Sequence, residues 1–252
     1  MNKEVINNII KEFARNNIVF SNEYDFQFEF AQALQKISFV KDVKMENLSL
    51  DIDMKEVKEI AKKKGKLSAK RKEYTDIIVE TNDGKFYAFE LKYKTPDRIC
   101  FYENTKYGDV VTMVQGAYDL NAHAFWHDVE RLENINNRYL SKSIKIEKGF
   151  AIFLTNNIVY KTNDFSGSSI WKKYSMEEGK KLTTGNLGFR ELNATVYTTP
   201  KGKKYTAVNL RNEYKDLSWQ EYELPIYGNI NMEKTEHPNF YYLILGVDPV
   251  TY

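Results

Sequence analysis

A chain of 252 residues, 42% hydrophobic and 29% charged, has the make-up of an ordinary globular protein and is long enough for one substantial core. A net charge of +2 says little about partners, and a single cysteine, Cys100, excludes an intrachain disulfide and fits a reducing cytoplasm. No stretch approaches the roughly 18 apolar residues of a membrane span, the N-terminus lacks a signal peptide's apolar run, and three histidines with one cysteine exclude a closely spaced Cys/His zinc site, so a soluble, cytoplasmic protein is expected.

In chain order, Val5, Ile6, Ile9, Ile10 and Phe13 recur at helical spacing and predict a first helix over 3–15. Ser21 and Asn22 can cap a second, with Glu23 and Asp25 in its first turn and Phe26, Phe30, Ala33, Leu34 and Ile37 as its apolar stripe. Glu29 sits on the flank of that stripe. Residues 55–64 are read as a short basic helix. From Lys62 to Lys72 the chain reads KKKGKLSAKRK, seven basic residues and no acid, which is either a solvated segment or one that neutralises phosphates. Residues 73–80 and 85–93 predict two strands joined by the turn Thr81-Asn82-Asp83-Gly84. A long helix is predicted from about Asp109, through Val110, Val114, Ala117, Tyr118, Asn121, Phe125, Val129 and Leu132. His123 and His127, an i, i+4 pair without an HExxH glutamate, are assigned to its surface, and HDVERLENINNR (127–138) to a solvated face. A further strand follows at 149–155, and strand-like runs recur at 194–198, 204–209 and 240–247. The 18 Tyr and 15 Phe suit strands. The expected fold class is α/β (α+β): a central mixed sheet flanked by helices, with a core in residues 1–160 and a C-terminal β-rich elaboration in 161–252, packed on the same domain.

The hairpin carries the chemistry. Alternation puts Tyr74, Asp76, Ile78 and Glu80 on one face, and Phe86, Ala88, Glu90 and Lys92 on one face of the next strand. A three-residue loop, Asn82-Asp83-Gly84, places Asp76 opposite Glu90, whereas a two-residue loop places Asp76 opposite Leu91 and sends Glu90 to the other side. Gly84 suits the left-handed position that ends three-residue loops, so the turn permits convergence. Two converging carboxylates repel unless a cation bridges them, and their oxygens suit Mg²⁺ or Mn²⁺. Lys92 could orient a water or offset charge on a phosphate. The competing reading is a salt-bridge patch. Apolar residues on both faces of the hairpin, which make unpaired acids expensive, weigh against it.

This arrangement resembles the PD-(D/E)xK, or restriction-endonuclease-like, nuclease superfamily, whose signature is an acid on one strand and (D/E)-x-K on the next. The match is Asp76 in EYTDIIVE and Glu90-Leu91-Lys92 in FYAFELKYK, over roughly residues 20–155; Thr75 stands where the family has proline. The resemblance implies an α-β-β-β-α-β core, metal held by Asp76, Glu90 and the Leu91 carbonyl, a water positioned by Lys92, and a helix glutamate, here Glu29 with Glu23 as second choice. Gln115-Gly116-Ala117-Tyr118 is similar to a Gln-x-x-x-Tyr element of the RecB-like branch, one residue short, with Tyr118 more readily assigned to the core. The expected activity is Mg²⁺- or Mn²⁺-dependent hydrolysis of DNA phosphodiesters in a prokaryotic restriction or defence setting, with a homodimer as one expected form. Lys62, Lys63, Lys64, Lys66, Lys70, Arg71 and Lys72, with Gln115, are the nucleic-acid-binding candidates. The basic and aromatic residues of 93–107 could grip a strand or cover the core. A catalytically inactive nucleic-acid-binding module is the alternative function.

Overall fold

Asparagine caps start the first two helices. Asn2 accepts the Val5 N–H at 3.0 Å and opens α1 (Lys3–Arg15). Asn22 accepts the Asp25 N–H at 3.0 Å and opens α2 (Glu23–Gln35), while Asp25 takes the Ser21 N–H in return. The computed structural model describes residues 1–47, 74–96, 100–101, 108, 110–113, 117–138, 144–163, 171–187, 195–215, 217–224 and 239–250. The basic run, the helix expected at 55–64 and Gln115 lie outside the described residues.

After α2 come β1 (Val40–Asn47), β2 (Thr75–Thr81), β3 (Phe86–Lys94), a short pair β4 (Cys100–Phe101) and β5 (Val110–Val111), the helix α3 (Tyr118–Glu133) and β6 (Ile146–Thr155). Two short pairs follow, β7 (Gly185–Leu187) with β10 (Val208–Leu210) and β8 (Val196–Thr198) with β9 (Lys204–Thr206), and then β11 (Trp219–Tyr222) and β12 (Phe240–Val247). The expected mixed sheet with flanking helices is observed: six strands in the order β1-β2-β3-β6-β12-β11. Its neighbours are antiparallel except for β3 and β6, which run parallel with α3 in the connection between them. Residues beyond 160 thus supply two strands of the main sheet.

Each face of the sheet buries its own core. Ile77, Val79, Phe89, Leu91 and Tyr93 pack with α1 and α2. Ile78, Ala88, Ala151 and Phe153 pack with Phe125, Trp126, Val129 and Leu132 of α3 and with Trp171, Tyr174 and Trp219 from the later segments. No helix among the described residues is long and apolar enough to cross a membrane.

Three local expectations need correction. The helix expected from Asp109 begins at Tyr118. Val110-Val111, both β-branched, are extended against Cys100-Phe101, and the Met113 N–H donates to the Ser21 carbonyl. Tyr118 is 40% exposed, not core. His123 is buried, its Nε2 at 2.8 Å from the Thr206 carbonyl, because β9 covers that side of α3, and burial drops its pKa to about 4. Strand β1 escapes the hydrophobic pattern because it is a sheet edge: Lys41, Lys44 and Glu46 point to solvent, and among its described side chains Val40 alone is buried.

Candidate active site

The turn decides the site. Gly84 takes φ +77°, the Gly84 N–H donates to the Thr81 carbonyl and the Thr81 N–H to the Lys85 carbonyl. This is the three-residue loop, and the ladder runs Glu80 to Phe86, Val79 to Tyr87, Ile78 to Ala88 and Ile77 to Phe89. One step further along that register, Asp76 stands opposite Glu90. The Asp76 charge acts on Glu90, and both acids share the face covered by α3.

Beyond Ile77 the ladder stops. The Leu91 N–H, which regular pairing would direct to the Thr75 carbonyl, donates instead to Asp76 Oδ2 at 2.7 Å. The N–H and C=O of one strand residue point the same way, so the Leu91 carbonyl lies on the same edge of β3 as the N–H that Asp76 accepts.

Around the two acids the charges are densely paired. Glu90, 2% exposed, binds Nη2 of Arg131 on α3 through one oxygen, and its other oxygen, Oε2, is buried without a hydrogen-bond partner. The same Nη2 lies 3.5 Å from Asp128 and donates to the Tyr74 carbonyl at 3.2 Å. Lys92 Nζ stands 2.8 Å from Asp128 and 3.6 Å from Glu23; Glu23 also meets Lys94 Nζ at 2.7 Å and the Tyr93 N–H at 3.2 Å. Four carboxylates (Glu23, Asp76, Glu90, Asp128) meet three cations (Lys92, Lys94, Arg131), an excess of one negative charge when all are ionised.

Burial lifts the Asp76 carboxyl to about 6, against the pull of Lys92 and the Leu91 N–H. Burial and the neighbouring Asp76 charge push Glu90 up as well. Lys92 goes the other way from a typical buried amine: burial lowers its pKa, but Asp128, Glu23, Asp76 and Glu90 outweigh that and hold it charged. The face therefore holds two strained acids beside a secured ammonium group.

Asp76, Glu90, Leu91 and Lys92 are thus brought together. Glu29 is not with them. It is buried in the groove between α1 and α2, beside Ile9, Phe13 and Asn16, on the side of the sheet away from α3. The α2 glutamate that reaches Lys92 is Glu23, in the first turn, where the helix meets the end of β3. Tyr93, from the segment weighed for strand gripping, is core: it is fully buried among Phe20, Phe26 and Phe240.

The expectation of a solvated face over 127–138 is wrong for Asp128, which is 6% exposed, and for Glu133, fully buried, while Val129 and Leu132 are buried as their helical spacing predicts. It hid Asp128 and Arg131. The available signal was phase: Asp128 lies three residues after Phe125 and four before Leu132, inside the apolar stripe, and Arg131 lies four before Ile135.

The site has features that fit a hard divalent cation. Two carboxylates converge, the cluster has one more carboxylate than cations, and Glu90 Oε2 is a buried oxygen without a hydrogen-bond partner. Among the described residues no group of three or more His, Cys, Asp or Glu side chains forms a metal cage, so a main-chain oxygen would have to complete the donor set. No family model, no curated protein and no solved structure matches the chain.

Proposed function

We propose that this chain is a Mg²⁺- or Mn²⁺-dependent endonuclease that hydrolyses DNA phosphodiesters, as its resemblance to the PD-(D/E)xK nucleases implies. The observation that carries the reading is the three-residue turn, which sets Asp76 opposite Glu90 with Lys92 one step along the same face. In this reading Asp76, Glu90 and the Leu91 carbonyl hold the ion. A divalent ion so placed acidifies a water and offsets charge on the phosphate. Lys92, kept charged and fixed by Asp128 and Glu23, orients the attacking water and meets the developing negative charge. Glu23 acts through Lys92 and Lys94 and takes the helix-glutamate position that Glu29 was expected to fill. A cytoplasmic, prokaryotic restriction or defence role, in a monomer or homodimer, is the setting this reading implies.

One observation favours the second reading, a nucleic-acid-binding module without catalysis: Glu90 already has a counter-ion in Arg131. A cleavage assay separates the two. Duplex DNA, single-stranded DNA and RNA are incubated with Mg²⁺ and with Mn²⁺, using the wild type, Asp76→Asn and Lys92→Met. The nuclease reading expects metal-dependent cleavage by the wild type alone. Full cleavage by both variants sinks the site. Salt-sensitive binding without turnover supports the module, and neither binding nor cleavage leaves a charge cluster with a structural role.

A further inference from the structure

We propose that Arg131 is the resident counter-ion of Glu90, and that Arg131 and a divalent cation hold this carboxylate in alternation, so that α3 sets the metal affinity of the site. The inference rests on the metal reading above and extends it to a residue outside the motif.

Glu90 is 2% exposed and offers one oxygen to Arg131, while the other has no hydrogen-bond partner. A buried carboxylate needs a compensating cation, and the guanidinium supplies it. A second cation arriving at Glu90 Oε2 meets the positive charge of the guanidinium already bound to the other oxygen of the same carboxylate.

Arg131 is also built to step aside. Its Nη2 lies 3.5 Å from Asp128, one turn back on the same helix, and its side chain is 26% exposed where Glu90 is closed off. Asp128 already pairs with Lys92 at 2.8 Å, and its Oδ2 is buried without hydrogen-bond geometry to any partner. When Arg131 shifts further onto Asp128, the loose 3.5 Å contact between them tightens and Glu90 is opened to the divalent ion. The Tyr74 carbonyl, 3.2 Å from Nη2, ties the same guanidinium to the residue before β2, so the shift is felt next to Asp76. No buried charge is stranded at either end of the exchange.

The experiment is a calorimetric Mn²⁺ titration of the full chain as wild type, Arg131→Gln and Arg131→Lys, paired with thermal melts with and without Mn²⁺. Removing the competing cation is expected to tighten Mn²⁺ binding about tenfold or more in Arg131→Gln and to enlarge its metal-dependent Tm shift, although its metal-free Tm falls because Glu90 loses its partner. Arg131→Lys keeps the charge but loses the fork that spans Glu90 and Asp128, and is expected to fall between the two. Equal Kd in wild type and Arg131→Gln overturns the proposal and leaves the metal reading standing. Absence of Mn²⁺ binding in all three proteins overturns both. Should the glutamine variant fail to fold, a lysine variant with the wild-type Kd overturns the proposal.

Discussion

Lys92 Nζ and Asp128 Oδ2 are 2.8 Å apart, with 15% and 8% of their side chains exposed, so a strand of the central sheet and the helix that covers it share one buried ion pair. Breaking such a pair from one side leaves an uncompensated charge. Lys92→Met is therefore expected to destabilise the fold by ~3–5 kcal/mol, and Lys92→Met with Asp128→Leu to recover most of that loss. Urea unfolding of the single and double variants measures it. Additive losses would show that the two groups do not act as a pair.

Asp76 makes stability depend on pH in an unusual sense. Its carboxyl is held up at about 6 by burial, against an ordinary 3.8, so the folded protein holds the proton more tightly than the unfolded chain. Stability is then present below the ordinary value and is lost as pH rises from about 4 through 6, by up to ~3 kcal/mol. Asp76→Asn removes this loss. Urea melts at pH 4.5 and 7.5 are expected to show the variant gaining on the wild type at the higher pH, while cleavage is abolished. A stability difference independent of pH would refute the raised pKa.

Glu133, fully buried at the end of α3, gathers three donors: the Arg211 N–H at 2.7 Å, the Asn212 N–H at 2.8 Å and the Tyr214 hydroxyl at 2.8 Å. It pins the segment after β10 to the helix. Glu133→Ala strands those donors and is expected to cost ~3 kcal/mol or more, against ~1–2 kcal/mol for Tyr214→Phe. The check is the unfolding midpoint, with limited proteolysis showing whether the region after residue 171 opens first.

Gly149 tests how closely α3 must lie on β6. A Cβ there would come within 3.0 Å of Leu132 Cβ, backbone-proximal and unable to swing away. Gly149→Ala is expected to cost ~1–3 kcal/mol by forcing helix and strand apart. Because α3 carries Asp128 and Arg131, the variant should also lose cleavage beyond what its stability explains. Wild-type activity at a temperature where it is fully folded would show that helix placement does not tune the site.

The hairpin was legible, and its turn Asn82-Asp83-Gly84 narrowed the register to two choices with a long-range consequence, which face Glu90 occupies; the fold takes the three-residue one. Helices α1 and α2 were legible from their apolar spacing, and α2 also from its Asn22 cap. The other half of the charge network was not. Asp128 and Arg131 read as surface because charged residues on a helix usually are; Asp128 is buried and Arg131 partly buried because β3 carries the complementary charges Lys92 and Glu90, 36 and 41 residues back along the chain. Glu29 was misplaced for the related reason that helix phase identifies a buried flank but not which neighbour it faces, and the neighbour is α1. Strand β1 was missed because an edge strand buries too little to leave a pattern.

Strand β12 lies between β6 and β11, pairing with β6 from Tyr241 opposite Thr155 to Val247 opposite Gly149. A ribosome that has just finished β6 must therefore add more than eighty residues before that strand's outer rim gains its partner. During synthesis a strand that is buried from Gly149 to Thr155 in the finished fold stands with unmet backbone groups, an opening for chaperones and for misassociation between nascent chains.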